Sequence, residues 1–130
     1  MKFRMEVITP ERVVFRKDID MVIVPGSEGE LAVMARHIPF MTGLKPGVVR
    51  IKADQSWEKM AVGGGILQVT EEKTSILADT AELAEEIDVE RARKDRKKAI
   101  EQLEKAERTE MMKARLVLEK SIARLKAKEE

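Results

Sequence analysis

This chain of 130 residues contains no cysteine and no tyrosine, and it has one histidine, one tryptophan and three phenylalanines. The absence of cysteine excludes disulfide bonds and thiolate chemistry and favours a reducing compartment. A single histidine, His37, excludes metal sites that need two histidines. The glycine-rich stretch VGGGILQVT lacks both the Lys-Ser/Thr ending of a phosphate loop and the spacing of a dinucleotide fingerprint. We therefore expect a protein that is not an enzyme by itself and that requires no metal.

Long apolar runs are also missing. The opening MKFRMEV has no signal-peptide core, and no apolar run approaches the roughly 18 residues of a membrane-spanning helix. We expect a chain that is soluble, or peripheral to another component.

Charge, in contrast, is abundant and unevenly distributed. Charged residues make up 38% of the chain, against about 25% in typical globular domains. Residues 1–87 hold 11 bases and 14 acids, whereas residues 88–130 hold 14 bases and 10 acids. This contrast predicts two parts with different partners.

The first part, residues 1–85, is predicted to be an antiparallel β-sandwich or flattened barrel. Its segments are short, rich in β-branched residues and bounded by glycine and proline. Gly26 and Gly29, the pair Pro46-Gly47, and the glycines at 63–65 are expected at turns or bulges. The predicted strands are MEVIT, RVVF, DMVIVP, LAVMA, GVVRIK, WEKMAVGGG, ILQVT and KTSILAD.

The second part, residues 86–130, is predicted to be an antiparallel two-helix hairpin. Apolar residues recur at helical spacing on both sides of the short polar segment KAERTE, which suits the turn between the helices. These residues are Val89, Ala92, Ala99, Ile100 and Leu103, then Met111, Ala114, Leu118, Ile122 and Leu125. Most helical stability comes from packing an amphipathic face, so we expect the hairpin to lie on the sandwich or on a partner.

The run RARKDRKK, residues 91–98, places six bases around one acid. Such a run suits either the solvated face of a helix or sequence-independent contacts with nucleic-acid phosphates. A basic-helix adaptor or nucleic-acid-binding module is therefore the alternative function.

The stretches PGSEGELAVMARHIPFMTGLKPGVVRI, MAVGGGILQVTEEKTSILADTAE and IDVERA, in this order, resemble the epsilon subunit of bacterial F-type ATP synthases. The resemblance covers essentially the whole chain. It implies a non-catalytic rotor subunit of the central stalk, peripheral to the cytoplasmic side of the cell membrane, that couples ion-driven rotation to ATP synthesis. In this family the hairpin either folds on the sandwich or extends into the catalytic head, where it inhibits ATP hydrolysis.

The resemblance also implies partner contacts. The sandwich is expected to contact the gamma subunit and the c-ring, and the second helix an acidic segment of the beta subunit in the alpha/beta head. The alternative for the bases of the second helix is ordinary solvation. The family usually has Pro-Gly where this chain has Ala35-Arg36, so the loop before His37 is expected to differ in shape. The residues assigned to partners are Glu30, Arg36, His37, Lys113, Arg115, Lys120 and Arg124.

Bacillus-type members bind ATP through a motif written Ile/Leu-Asp-x-x-Arg-Ala, which stands here as Ile87-Asp88-Val89-Glu90-Arg91-Ala92. The resemblance therefore implies ATP as a regulatory ligand of the folded hairpin. Asp88 also suits a helix N-cap, and a cap with a stabilising Asp–Arg pair is the structural alternative. Lys98 and Lys120 replace arginines of other members and lack the bidentate fork, which lowers the expected affinity. The predicted nucleotide residues are Glu82, Ile87, Asp88, Arg91, Ala92, Lys98, Lys120 and Arg124.

Overall fold

The computed structural model describes residues 1–105 and 108–129, with side chains for all of these except 105 and 108–111. Eight strands precede two helices. The strands are β1 (Phe3–Ile8), β2 (Val13–Ile19), β3 (Met21–Gly26), β4 (Gly29–Met34), β5 (Phe40–Ala53), β6 (Ser56–Val69), β7 (Thr74–Ala78) and β8 (Ala81–Leu83). A 3₁₀ turn at Ala84–Glu86 leads to helices α1 (Val89–Lys105) and α2 (Arg108–Lys128).

The strands form one sheet in the order β2-β1-β7-β6-β5-β3-β4, and β8 pairs with β6 beside β7. All described pairs are antiparallel except β1 with β7, which is parallel. The predicted class, a β-sandwich followed by a helical hairpin, is confirmed. The parallel pair differs from the purely antiparallel sheet that the sequence suggested.

The sandwich encloses an aliphatic core, as the scarcity of aromatic residues required. Alternating positions of each strand point inward, because successive side chains of a strand face opposite sides of the sheet. The largest fully buried side chains are Met5, Ile19, Ile51, Met60, Leu67 and Ile76. This core makes the sandwich the rigid base on which the hairpin rests.

The predicted division of WEKMAVGGG and ILQVT into two strands is wrong, whereas Pro46-Gly47 lies at a pairing irregularity, as the expectation of a turn or bulge allowed. WEKMAVGGG and ILQVT form a single strand, β6, in which Gly64 and Gly65 have φ of 97° and 148°. These left-handed backbone values favour glycine, so the run bends the strand without ending it. Pro46-Gly47 lies inside β5, at the place where pairing between β3 and β5 is interrupted, which is the kind of position where a strand tolerates proline.

The hairpin packs on the sandwich through small side chains. Ala123 and Ala127 of α2 form a buried cluster with Ala61 of β6 and with Ile87, the residue before the α1 cap. Burial of one CH₂-sized group contributes only about 0.8 kcal/mol, so this interface is weak beside the aliphatic core. The predicted turn KAERTE includes residues 106 and 107, which lie outside the described residues.

Candidate functional site

The start of α1 is fixed by Asp88. Its Oδ1 accepts the backbone N–H of Arg91 at 3.1 Å, and its carbonyl oxygen accepts the N–H of Ala92 at 3.0 Å. The first bond satisfies one of the amides that a helix leaves free at its N-terminus. Asp88 is therefore the N-cap of α1, as the sequence suggested, and the cap sets the side chain of Arg91 one turn into the helix.

The end of α2 is tied to the segment that precedes α1. Arg124 Nε donates to Glu82 Oε1 at 2.5 Å, and Lys128 Nζ donates to the carbonyl oxygen of Ala84 at 3.3 Å. The Arg124–Glu82 pair is the more protected of the two contacts, since its side chains are 22% and 33% exposed. These bonds hold the C-terminal half of the hairpin against β8 and the 3₁₀ turn.

A cleft of about 270 Å³ opens where these three elements meet. Its lining contains five of the predicted nucleotide residues, drawn from β8, the start of α1 and the end of α2. The predicted residues in the lining are Glu82, Asp88, Arg91, Ala92 and Arg124.

Arg91 is the free cation of this cleft within the described residues. Its guanidinium has no ion pair and no hydrogen bond with any of the described side chains or backbone groups. The other arginine, Arg124, is held by Glu82. A guanidinium is planar and carries five N–H donors that match phosphate and carboxylate oxygens, so Arg91 is available to an anionic ligand.

Three predicted nucleotide residues do not line the cleft. The side chain of Ile87 is buried in the apolar cluster beneath α2, so its role is to anchor the helix start. Lys98 is exposed on α1, two turns beyond Arg91. Lys120 lies over Gly63 of β6, where a Cβ would come within 2.8 Å of its Cε.

Two carboxylates in the lining, Glu86 and Asp95, were not predicted. Asp95 follows Arg91 by four residues, a spacing that places both on one face of a helix and that could have identified it. Glu86 belongs to the 3₁₀ turn, which has no periodic signal. Its carboxylate accepts two bonds from Arg12 Nη2, at 3.1 and 2.9 Å, and one from the backbone N–H of Leu83 at 3.2 Å.

The residues assigned to partners on the sandwich lie at opposite ends of β4. Glu30, near its start, accepts two bonds from Arg50 Nη2 at 3.2 and 3.1 Å. Arg36 and His37 follow its end, separated from Glu30 by roughly 20 Å at about 3.3 Å per strand residue. These residues therefore do not form one contiguous surface.

Around His37 the chain has an unusual turn. Arg36 has φ of 65°, a left-handed value that favours glycine, and the N–H of His37 donates to the carbonyl oxygen of Met34 at 3.3 Å. His37 Nδ1 lies 2.8 Å from the carbonyl oxygen of Ile38, and its ring centroid is 4.8 Å from that of Phe40. Arg36 thus adopts a backbone conformation that favours glycine.

Large apolar side chains are exposed at this end of the sandwich. Ile38 is 77% exposed, Met41 63% and Met34 52%. A cleft of about 390 Å³ lies between this loop and residues 69–74. Exposed apolar groups of this kind mark candidate interaction surfaces.

The remaining bases lie on the outer surface of the hairpin. Lys113 and Arg115 of α2 are exposed, as are all six bases of residues 91–98. Among the described side chains of that run, Arg93 Nη1 forms an ion pair with Glu90 Oε1 at 3.7 Å. This arrangement is a solvated helix face in the docked hairpin.

Metal ligation and membrane spanning are the two remaining possibilities. Among the side chains that the structure describes, no group of three or more His, Asp or Glu is arranged to hold a metal ion. None of the helices in the described part of the chain has the length and apolar character needed to cross a bilayer.

The chain matches known proteins along nearly all of its length. The family model of the ATP synthase delta/epsilon chain beta-sandwich domain matches residues 2–84, and that of the long alpha-helix domain matches residues 85–129. An ATP synthase epsilon chain from Desulforamulus reducens is 41% identical over 127 residues, which are 97% of this chain and 96% of that protein. The corresponding chain from Brevibacillus brevis is 48% identical over 103 residues, 78% of each chain.

Solved structures share the fold. A chain of the Euglena gracilis mitochondrial ATP synthase has a TM-score of 0.83 and 19% identity, covering 97% of this chain and 80% of that one. A chain of the Tetrahymena thermophila mitochondrial ATP synthase has a TM-score of 0.65 and 16% identity, covering 98% of this chain and 97% of that one.

Proposed function

The chain belongs to the ATP synthase delta/epsilon family, as an epsilon chain of the bacterial F-type enzyme, and on that premise we propose how its hairpin regulates the synthase. The epsilon chain is a non-catalytic subunit of the central stalk. Our proposal is that ATP binds in the cleft, stabilises the docked hairpin and thereby prevents the hairpin from inhibiting ATP hydrolysis. We place residues 1–85 in a partner-binding domain and residues 86–130 in a regulatory domain.

The observation that carries this proposal is the composition of the cleft. Glu82 comes from β8, Asp88 and Arg91 from the start of α1, and Arg124 from the end of α2. These elements meet only while the hairpin lies on the sandwich. A ligand that binds only this state stabilises it by RT ln(1 + [L]/Kd), or about 2.7 kcal/mol at a ligand concentration of 100 Kd.

The size of the cleft and its hydrogen-bonding groups suit one part of a nucleotide. Its volume of about 270 Å³ lies just below the roughly 300–1,000 Å³ of typical small-molecule sites. Arg91 offers donors to phosphate oxygens, and the carboxylates of the lining accept hydrogen bonds from ribose hydroxyls and from an exocyclic amine. We propose that the nucleotide extends beyond the cleft toward solvent, which gives Lys98 and Lys120 a longer-range electrostatic role.

Release of the hairpin frees cations for a partner. Arg124 is paired with Glu82 and Lys120 is half-buried over Gly63 in the docked state. After undocking, both join Lys113 and Arg115 as exposed bases on α2, and we propose that these four contact the acidic segment of the beta subunit. The same side chains cannot serve both states, so docking and inhibition exclude each other.

The loop that contains Arg36 and His37, at the end of β4, is the proposed docking surface for the gamma subunit and the c-ring. The exposed side chains of Met34, Ile38 and Met41 surround Arg36 and His37 there. Apolar residues with Met and Arg among them are typical of interface cores. The chain is peripheral to the membrane through the complex, and we place it on the cytoplasmic side.

Calorimetry of the isolated chain with ATP tests the site. Loss of a charge-assisted hydrogen bond costs about 1.5–3 kcal/mol, so Arg91→Ala is expected to weaken binding by roughly tenfold to a hundredfold. Arg93→Ala is the matched control, because Arg93 is a neighbouring exposed arginine outside the cleft. Asp88→Ser retains an N-cap while it removes the carboxylate, which separates capping from ligand contact. Equal heats for the wild type and all variants, or no heat at all, would defeat the assignment.

The inhibitory role is tested in the assembled catalytic head. ATP hydrolysis is compared with the full chain and with a chain that lacks residues 86–130. We expect faster hydrolysis without the hairpin, most clearly at low ATP concentration. Equal rates at every ATP concentration would show that the hairpin does not inhibit.

A further inference from the structure

Arg12, in the turn between β1 and β2, reaches the cleft through another residue. Its Nη2 donates to both carboxylate oxygens of Glu86, at 3.1 and 2.9 Å. Arg12 is outside the lining of the cleft, whereas Glu86 is part of it. The two residues are 74 positions apart in the sequence, so the bond connects the sandwich directly to the segment that leads into α1.

The charge of the lining explains why this bond matters for an anion. Four carboxylates and two arginines line the cleft, which leaves an excess of negative charge. An unpaired Glu86 would add repulsion toward phosphate oxygens. Arg12, which pairs with Glu86 from outside the lining of the cleft, neutralises that carboxylate.

The same bond also fixes backbone geometry. Glu86 Oε1 accepts the N–H of Leu83 at 3.2 Å, so the side chain held by Arg12 closes the 3₁₀ turn. This turn leads through Ile87 to the cap residue Asp88. Any displacement of Glu86 would therefore change the position of Asp88 and of the helix start that carries Arg91.

We propose that Arg12 is a positioning residue of the nucleotide site, which shields the charge of Glu86 and orients the 3₁₀ turn beneath the ligand. This inference rests on the proposed binding of ATP in the cleft. It predicts that Arg12 raises affinity for phosphate-bearing ligands without touching them.

The test is calorimetry with AMP, ADP and ATP on the wild type, Arg12→Gln, Arg12→Lys and Glu86→Gln. Because the effect is electrostatic, Arg12→Gln is expected to weaken ATP binding by about tenfold at low salt, and AMP binding less. The loss shrinks as salt rises, since exposed charges are screened over roughly 10 Å at 0.1 M. Arg12→Lys keeps the charge and retains most of the affinity.

Two further variants separate shielding from general damage. Arg4→Gln removes the same charge from β1, where Arg4 pairs with Asp18 at 3.6 Å, and is expected to bind ATP as the wild type does. Arg12→Gln combined with Glu86→Gln is expected to regain the ATP affinity of Glu86→Gln alone. Such rescue cannot come from a variant that has simply lost its fold.

Three results would overturn the inference. Arg12→Gln binding ATP as tightly as the wild type would refute it and leave the nucleotide site intact. An equal loss for AMP and ATP, with no rescue by Glu86→Gln, would show that Arg12 acts only on the fold. Absence of ATP binding by the wild type would defeat the nucleotide site and this inference together.

Discussion

The hairpin carries a buried hydroxyl that weakens its docked state. Ser121 of α2 is fully buried, and its Oγ has no hydrogen-bond partner among the described residues. It follows the buried Ala114 by seven residues, so both lie on one side of α2. We predict that Ser121→Ala stabilises the docked hairpin.

The size of the expected effect of Ser121→Ala follows from the hydration that the Ser121 hydroxyl loses when the hairpin docks. A buried polar group without a partner costs about 1–3 kcal/mol relative to its solvated state. Alanine adds a helix propensity gain of about 0.5 kcal/mol over serine. Because released helices expose Ser121 to water, the cost of the buried hydroxyl is paid only in the docked state. Its removal therefore shifts the docking equilibrium. We expect the released fraction to fall roughly fivefold to a hundredfold.

Native-state hydrogen exchange of the α1 amides measures this equilibrium. Gln102→Ala is the matched control, since Gln102 is exposed on α1 and its replacement changes helix propensity alone. Exchange in Ser121→Ala is expected to slow by at least about five times more than in the control. Unchanged or faster exchange would refute the reasoning and would indicate that the hydroxyl is satisfied, for example by a bound water.

Three further predictions concern the sandwich. Gly63→Ala is expected to destabilise the chain by about 1–3 kcal/mol in urea unfolding, because the new Cβ would lie within van der Waals radii of Thr80 Oγ1; stability equal to wild type would contradict this. Hydrogen bonds from Lys73 and Arg16 lower the pKa of Glu6, so its stabilising contribution is present above the ordinary value of 4.5 and is lost as pH falls through the folded value. The difference in urea midpoint between wild type and Glu6→Gln should therefore shrink from pH 7 to pH 3, and a constant difference would count against it. Arg36→Gly is expected to raise the thermal midpoint by an amount that corresponds to about 0.5–1 kcal/mol, because glycine adopts the positive φ without strain, and a lower midpoint would show that the side chain itself stabilises the loop.

The order of the two parts, the aliphatic core and the cap at Asp88 could be predicted from the sequence. The family that the sequence resembles is confirmed. The glycine run misled the strand assignment because a glycine at positive φ either ends a strand or bends it, and only the pairing partners decide which. Strand β8 escaped detection because three residues are too short for a periodic signal.

The site was predictable only where the motif is local. Asp88 and Arg91 lie within one helical turn, so their relation follows from spacing. Glu86 and Arg12 come together through the fold of the sandwich, and no local sequence pattern predicts that contact. Lys98 and Lys120 were assigned by resemblance alone, and their distance from the lining depends on how the two helices pack. The assignment of all nucleotide and partner residues stays a prediction.

The central claim, that ATP holds the hairpin on the sandwich, is tested most directly by a distance measurement. Since the chain has no cysteine, Glu28→Cys in the β3–β4 turn and Glu129→Cys after α2 can carry a pair of spin labels at exposed positions. We predict that ATP narrows the label distances to the docked population in the wild type and in Arg93→Ala but not in Arg91→Ala. The same distribution with and without ATP, at concentrations that saturate binding in calorimetry, would contradict the account.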